Sequence, residues 1–380
     1  MDVVNKSLID ISECIKLIIN RDKESSIDFI EILDNFLETF DERLIDDMLD
    51  ELMSVKLLKT TNDLSKIEFL SKKISYENNT IKCDKKIKAG GYGDITRCIF
   101  NDKKAIIKNP QYKKSMEKKF RRFNTTNHKF LKENIIHFIL FCFHDKMIKC
   151  LNKQIYNCIP QIFNIIKTKN KIDDTSIVCT VMEQLDYDIR AFLKKSHSFK
   201  KELAIISLVA YNIYTLQTCF KHFVHGDMHS KNVMLQKLSN YVKYNIKTEK
   251  VDLSIECEYK TFIIDFGFAS IDFDSLKCKN INMPYSKIFA KDDIHSNFNK
   301  GQDMRLFLAS ILYWDDMQIS KELKQWLEIL FKPYQTQDFL NLKKKGQPTF
   351  YFYEKTINND DVNFYPENIL LFAKFNLEKL

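Results

Sequence analysis

His225-Gly226-Asp227-Met228-His229-Ser230-Lys231-Asn232, followed further along the chain by Asp265-Phe266-Gly267, sets two acids and an amide at defined intervals. Residues 203–220 (LAIISLVAYNIYTLQTCF) upstream carry a helix-compatible apolar pattern. Val233-Met234-Leu235 downstream reads as a short strand, and Thr261-Phe262-Ile263-Ile264 as a buried strand leading into the second acid. Both acids are therefore expected on loops at strand ends, facing a cleft rather than a sheet interior.

That spacing suits phosphoryl transfer from a metal-bound nucleotide. Such transfer asks little covalent work of a protein; it needs positioning and neutralisation of spreading negative charge. Asp227 is expected to accept the proton of an attacking hydroxyl. Asn232, at the end of the same loop, offers a neutral oxygen to a metal ion, and Asp265 a carboxylate bridging metal and phosphates. Magnesium prefers oxygen ligands and keeps several waters, so one carboxylate and one amide suffice.

Upstream, Ile87-Lys88-Ala89-Gly90-Gly91-Tyr92-Gly93-Asp94-Ile95 reads as strand, glycine turn, strand. Asn101-Asp102 then signals a turn and Ala105-Ile106-Ile107-Lys108 a third strand. Glycines let backbone amides approach phosphates with no Cβ in the way. Gly90, Gly91, Tyr92, Gly93 and Ile95 are accordingly expected around the nucleotide, with Tyr92 folded over the loop tip and Lys108 on the phosphates. A G-G-Y-G run also suits an ordinary hairpin; its position before the A-I-I-K strand favours the nucleotide role.

In this order, glycine hairpin, strand lysine, H-x-D-x-x-x-x-N and D-F-G, the chain resembles the eukaryotic-type protein kinase superfamily over roughly residues 76–320. The G-G-Y-G and D-x-H-x-x-N loops make it most similar to the divergent serine/threonine kinases of large cytoplasmic DNA viruses, iridovirus-like ones in particular. The resemblance implies an α+β, two-lobe protein-kinase-like fold acting on protein Ser/Thr hydroxyls with ATP and Mg2+, Mn2+ being a substitute ion. It implies Asp227, Lys108 and Asn232 in catalysis and Asn232 and Asp265 on the metal. It also implies a helix-borne acid paired with Lys108: Glu133 is preferred over Glu117, which follows the lysine too closely to lie on that helix. Residues 175–185 (TSIVCTVMEQL) would form the strand entering the hinge, with Met182 at the back of the adenine pocket and backbone groups of Glu183 and Leu185 on the adenine edge. Asp303 either braces the catalytic loop or is a helix N-terminal acid favoured by the macrodipole.

Three departures bear on function. Gly226 stands where the family usually has arginine, so control by an activation-loop phosphate is not expected. His229 stands where serine/threonine kinases carry a phosphate-facing lysine; Lys231 either supplies that charge or is a solvated lysine. No A-P-E triplet follows D-F-G, the nearest proline being Pro284. H-G-D-x-H-x-x-N is also the loop of aminoglycoside and choline-kinase-like phosphotransferases, so a small-molecule acceptor is a second reading. A nucleotide-binding pseudokinase scaffold is a third, disfavoured because Lys108, Asp227, Asn232 and Asp265 are all present.

Composition sets bounds. A chain of 380 residues, 44% hydrophobic and 29% charged, is globular in character and long enough for two or three domains. Seven glycines and six prolines argue against long flexible linkers. The ten cysteines contain no C-x-x-C pair, which leaves zinc and redox motifs without footing and suits a reducing compartment. The first residues, MDVVNKSLIDISE, have no signal-peptide character, and the longest apolar run, residues 135–143, is far shorter than the ~20 residues of a membrane span. The expectation is a cytoplasmic protein, in a host cell or virion if viral, with no membrane and no specific nucleic-acid partner. The formal charge of +8 is modest, and lysine-rich 113–122 and 343–345 read as solvated faces.

The expected organisation is an N-terminal helical extension over 1–75 that packs on the small lobe, binds a protein partner or inhibits the cleft in cis. A small lobe over 76–185 and a large lobe over 186–380 follow, with an exposed hairpin insert at about 236–260.

Overall fold

The structure, a computed structural model, describes residues 58–60, 73–76, 79–89, 93–110, 156–169, 176–219, 223–269, 299–354 and 360–379, with Glu133, His137, Leu140, Phe141 and His144, which are helical. The fold is α+β, and the chain divides into two compact units. The first holds the described residues through His137 together with Pro160–Gln184; the second holds Leu140, Phe141, His144, residues 156–159 and the described residues from Leu185 onward.

The first unit is a seven-stranded sheet of β1 (Leu58–Thr60), β2 (Lys73–Tyr76), β3 (Asn79–Ala89), β4 (Gly93–Phe100), β5 (Lys103–Pro110), β6 (Ile162–Lys169) and β7 (Ser176–Glu183), ordered β1-β6-β7-β5-β4-β3-β2. Neighbours are antiparallel except β1, which lies parallel to β6. Asn101 and Asp102 take φ of 46° and 64°, which short polar side chains tolerate, and close a two-residue hairpin with Phe100 opposite Lys103.

Strand alternation separates two faces of this sheet. Ile81, Cys98, Phe100, Ala105, Ile107, Cys179 and Val181 pack as one apolar cluster, with Phe163 stacked on Phe100 at 5.6 Å. The register places Ile95, Lys108 and Thr180 in one cross-strand row on the opposite face, with Ile106 and Met182 in the next.

The second unit carries a three-stranded sheet ordered β10-β9-β8, from β8 (Tyr187–Asp188), β9 (Val233–Lys247) and β10 (Asp252–Ile263). Its helices are α1 (Ile189–Leu193), α2 (Phe199–Cys219), α3 (Gln302–Tyr313), α4 (Lys321–Leu330), α5 (Gln337–Lys344), α6 (Pro348–Glu354) and α7 (Pro366–Leu377). Ser320 and Thr336 cap α4 and α5 by accepting the N–H groups of Leu323 and Phe339. Helix α3 is buried from Gln302 through Ile311, and the rings of Tyr313, Phe331, Phe339, Phe352 and Phe364 close around one another. Asp303, near its start, lies inside the protein with it.

The expected insert is a hairpin, but one side of it is core rather than exposed. Tyr244 and Ile246 of β9, and Leu253, Ile255, Cys257 and Tyr259 of β10, are buried in alternation with exposed neighbours. Helix α2 covers β10. Lys201 pairs with Glu258 at 2.6 Å, and Asn212 Nδ2 donates to the carbonyl and hydroxyl of Thr261 at 3.0 and 2.7 Å. The register slips near the middle, so residues 238–241 of β9 stand opposite Glu258 alone.

The expected helical extension lies mostly outside the described residues, as do Glu117, Pro284 and the lysine-rich 113–122. Within it, Leu58–Thr60 and Lys73–Tyr76 are strands, not helix: each lies along a sheet edge, β1 on β6 and β2 on β3, where backbone pairing is supplied by the neighbour. Among the described residues no helix is long and apolar enough to cross a membrane.

Candidate active site

Lys108 lies near the end of β5, directly across from Ile95 on β4 and Thr180 on β7. Its ammonium pairs with the carboxylate of Glu133, and both side chains are largely shielded from solvent. Glu133, one of the two candidates for this pairing, is thus the partner in the structure. His137, one helical turn on, is buried, and its Nε2–H donates to the Pro160 carbonyl at 2.8 Å. Burial lowers the His137 pKa to about 4, the Pro160 hydrogen bond opposing the shift and the Lys108 charge adding to it.

Met182 is buried on the Lys108 face of the sheet. The Glu183 N–H is committed to the Gln161 carbonyl at 2.9 Å, so a backbone role for Glu183 falls on its carbonyl. Leu185 is buried at the start of the second unit's main segment. Gly93 begins β4; Gly90, Gly91 and Tyr92 lie outside the described residues.

The loop holding Asp227 is organised from beneath by Asp303. Its buried carboxylate accepts the N–H of His225 at 2.8 Å and of Gly226 at 3.0 Å, two donors that would otherwise be buried unpaired. Burial raises the Asp303 pKa, opposed by His225 and by the two amides. Asp303 also stands in the first turn of α3, where the macrodipole favours an acid, so the loop contacts and the helix N-terminal position coincide in one residue.

Gly226 has φ of 77°, and a Cβ there would meet the Phe268 carbonyl oxygen at 2.6 Å. Backbone conformation and close approach both require glycine at this position. His225 Nε2–H donates to the Ile264 carbonyl at 2.9 Å, and His225 Nδ1 accepts the Asp227 N–H at 3.3 Å. The imidazole thereby ties the Asp227 loop to the residue before Asp265.

Asp227 and Asn232 come together. Asn232 Nδ2 donates to the Asp227 carbonyl at 2.9 Å and approaches Asp227 Oδ2 at 3.4 Å. The Asn232 carbonyl accepts the Ile264 N–H at 3.0 Å, and Val233 pairs with Ile263 in the sheet. Asp265 follows directly, in the left-handed region at φ 70°, at the position before the short 3-10 turn Phe266–Phe268. Asp227, Asn232 and Asp265 thus share one hairpin end.

His229 Nε2 lies 3.8 Å from Asp227 Oδ2, and its ring is 5.4 Å from that of Trp314. Burial lowers the His229 pKa against the pull of the Asp227 carboxylate. The Lys231 ammonium is 5.3 Å from the Trp314 ring centroid. Sequence reading gives no role to Trp314, to the His225 ring, or to Ser310, whose Oγ accepts the Ser230 N–H at 2.9 Å. The position of His225 in the motif is a usable signal for its ring; nothing local marks Trp314 or Ser310.

The residues suit the expected magnesium ion. The Asn232 amide nitrogen is occupied by Asp227, so its oxygen is the atom left to act as a ligand, and Asp265 adds a carboxylate, a hard pair of the kind Mg2+ prefers. Among the described residues no cluster of three or more His, Cys, Asp or Glu is arranged to hold a metal. No protein-family model matches the chain, and no curated protein matches it in sequence.

Proposed function

We propose that this protein is an ATP- and magnesium-dependent phosphotransferase acting on Ser or Thr hydroxyls of proteins. The observation that carries the reading is the hydrogen bond from Asn232 Nδ2 to Asp227 within a loop clamped by Asp303. It holds a carboxylate and an amide in fixed relation beside the residue that leads into Asp265.

In this mechanism Asp227 orients the acceptor hydroxyl and takes its proton, while Asn232 and Asp265 hold the cation. Magnesium bound there neutralises charge on the transferring phosphoryl group. Within the first unit, Lys108 paired with Glu133 is the cation offered to phosphate oxygens, on the sheet face that also carries Ile95 and Met182.

The test is phosphate transfer to a mixed protein extract with phosphoamino-acid identification, alongside a panel of amino-alcohols. Phosphoserine or phosphothreonine is expected, with Asp227→Asn reducing the rate by about 10²–10⁴ and Asp265→Asn abolishing metal-dependent transfer. Transfer only to amino-alcohols would replace the protein acceptor by a small molecule. Nucleotide binding without any transfer would reduce the protein to a scaffold.

A further inference from the structure

The β3–β4 hairpin sets two cysteines opposite one another. In its register Cys83 pairs with Cys98, two positions along from the pair of Ile81 with Phe100. Directly opposed residues of an antiparallel ladder share a face of the sheet, with Cα atoms about 4.5–5.5 Å apart. A disulfide spans Cα separations of about 4.4–6.8 Å. The register therefore brings the two positions within bridging span. Ile81, Cys98 and Phe100 all belong to the apolar cluster of this sheet, so the pairing falls on its dry face.

The same sheet separates Cys98 from the other cysteine of that cluster. Cys179 stands on β7, and β5 lies between β7 and β4. Two strand spacings amount to about 9.5 Å, beyond the ~7 Å that a bridge reaches without backbone movement. On its other side the pair meets irregular sheet. The ladder from β2 ends at Lys82, and the β3–β4 register slips between Cys83 and Lys86 and again between Lys86 and Lys88. Bulges disrupt a ladder locally. Opening to a small oxidant costs less there than within a continuous ladder.

We infer that Cys83 and Cys98 form a redox-reversible modification site, a cross-strand dithiol that hydrogen peroxide converts to a disulfide. Cys98 is in the thiol form in this structure. One thiol attacks a peroxide oxygen, the O–O bond breaks, and a sulfenic acid and a water result. The second thiol displaces the sulfenic oxygen as another water, forming the S–S bond. Two electrons pass from the sulfurs to the peroxide, and no further reactant enters. The bond ties the two arms of the hairpin whose turn, residues 90–92, leads into Gly93. Strand β4 in turn sets Ile95 across from Lys108, so the cross-link acts on the strand beside the Lys108 row. The site stands apart from the phosphotransferase reading and does not depend on it.

The experiment treats the folded, full-length chain with hydrogen peroxide, caps remaining thiols with N-ethylmaleimide in urea, and maps tryptic peptides without reduction. Cleavage after Lys82, Lys85, Arg97 and Lys103 puts the two cysteines on separate peptides, Cys83–Lys85 and Cys98–Lys103. The expected product is these two peptides joined, lighter than their sum by two hydrogens and parted again by dithiothreitol. Capped Cys98 is expected to be lost from the wild type and retained in Cys83→Ser. Both peptides recovered capped after oxidation, or Cys98 joined to Cys179 in place of Cys83, overturns the site. Equal loss of capped Cys98 in Cys83→Ser overturns it as well.

Discussion

The α-carbon of Gly226 faces the carbonyl oxygen of Phe268 so closely that an added Cβ would lie 2.6 Å from it. One backbone contact thus locks the residue before Asp227 against the turn that follows Asp265.

Gly226→Ala is expected to destabilise the protein by more than the roughly 1–3 kcal/mol of a non-glycine residue in the left-handed region, since a backbone clash adds to it. Gly346, at φ 71° with nothing within 4 Å of its would-be Cβ, is the control for backbone conformation alone. Urea unfolding of Gly226→Ala and Gly346→Ala measures both; equal losses would sink the proposed role of the Phe268 contact.

Glu133→Gln leaves the largely shielded Lys108 ammonium facing a neutral amide. Lys108→Met is expected to lower phosphate transfer by about 10²-fold, the scale of losing one charge-stabilising group, and Glu133→Gln by less, with weakened nucleotide binding in both. Calorimetric titration with a non-hydrolysable ATP analogue gives the affinities. Wild-type affinity in both variants would remove Lys108 from the nucleotide site.

His137 gives the first unit a definite acid response. Its folded pKa of about 4 lies below the ordinary 6.5, so as pH falls through that interval the unfolded chain takes up a proton that the folded one refuses. Stability from this group is complete above pH 6.5 and is lost as pH falls toward 4, by up to about 3 kcal/mol. His137→Gln keeps a donor for the Pro160 carbonyl and should flatten that part of the profile. Urea midpoints of both proteins from pH 7 to pH 4 decide it, parallel curves being the adverse result.

Hairpin residues two positions apart should behave alike, and adjacent ones oppositely. Ile255→Ala removes a buried side chain and is expected to cost about 2–4 kcal/mol, whereas Ser254→Ala, exposed beside it, should cost little. A small loss at Ile255 would mean that the hairpin face is not core.

Much of this architecture is readable from local signals. Asn101-Asp102 announces the two-residue turn, residues 175–185 the strand Ser176–Glu183, and the apolar run at 203–220 the helix Phe199–Cys219. The hairpin misleads for a different reason. Its lysines and asparagines suggest full exposure, while the period-two alternation of Leu253, Ile255, Cys257 and Tyr259 carries the opposite message. In the candidate site, the Asp227–Asn232 interval announces a contact that a short loop can make. What sequence does not supply are meetings between distant segments. Gly226 looks like a departure because its reason lies in Phe268, beyond the whole hairpin, and Trp314 is silent because its neighbours are Arg190, His229 and Lys231.

Asn232 runs directly into β9 and Ile263 ends β10 just before Asp265, with Val233 and Ile263 paired across the ribbon. The stretch of chain between amide and acid is therefore spent going out and coming back. Lengthening or trimming the distal turn at Thr248–Val251, where Thr248 Oγ1 accepts the Val251 N–H at 3.0 Å, changes the count without changing the separation. That turn is the place to graft a label or an affinity handle while leaving Asn232 and Asp265 in register.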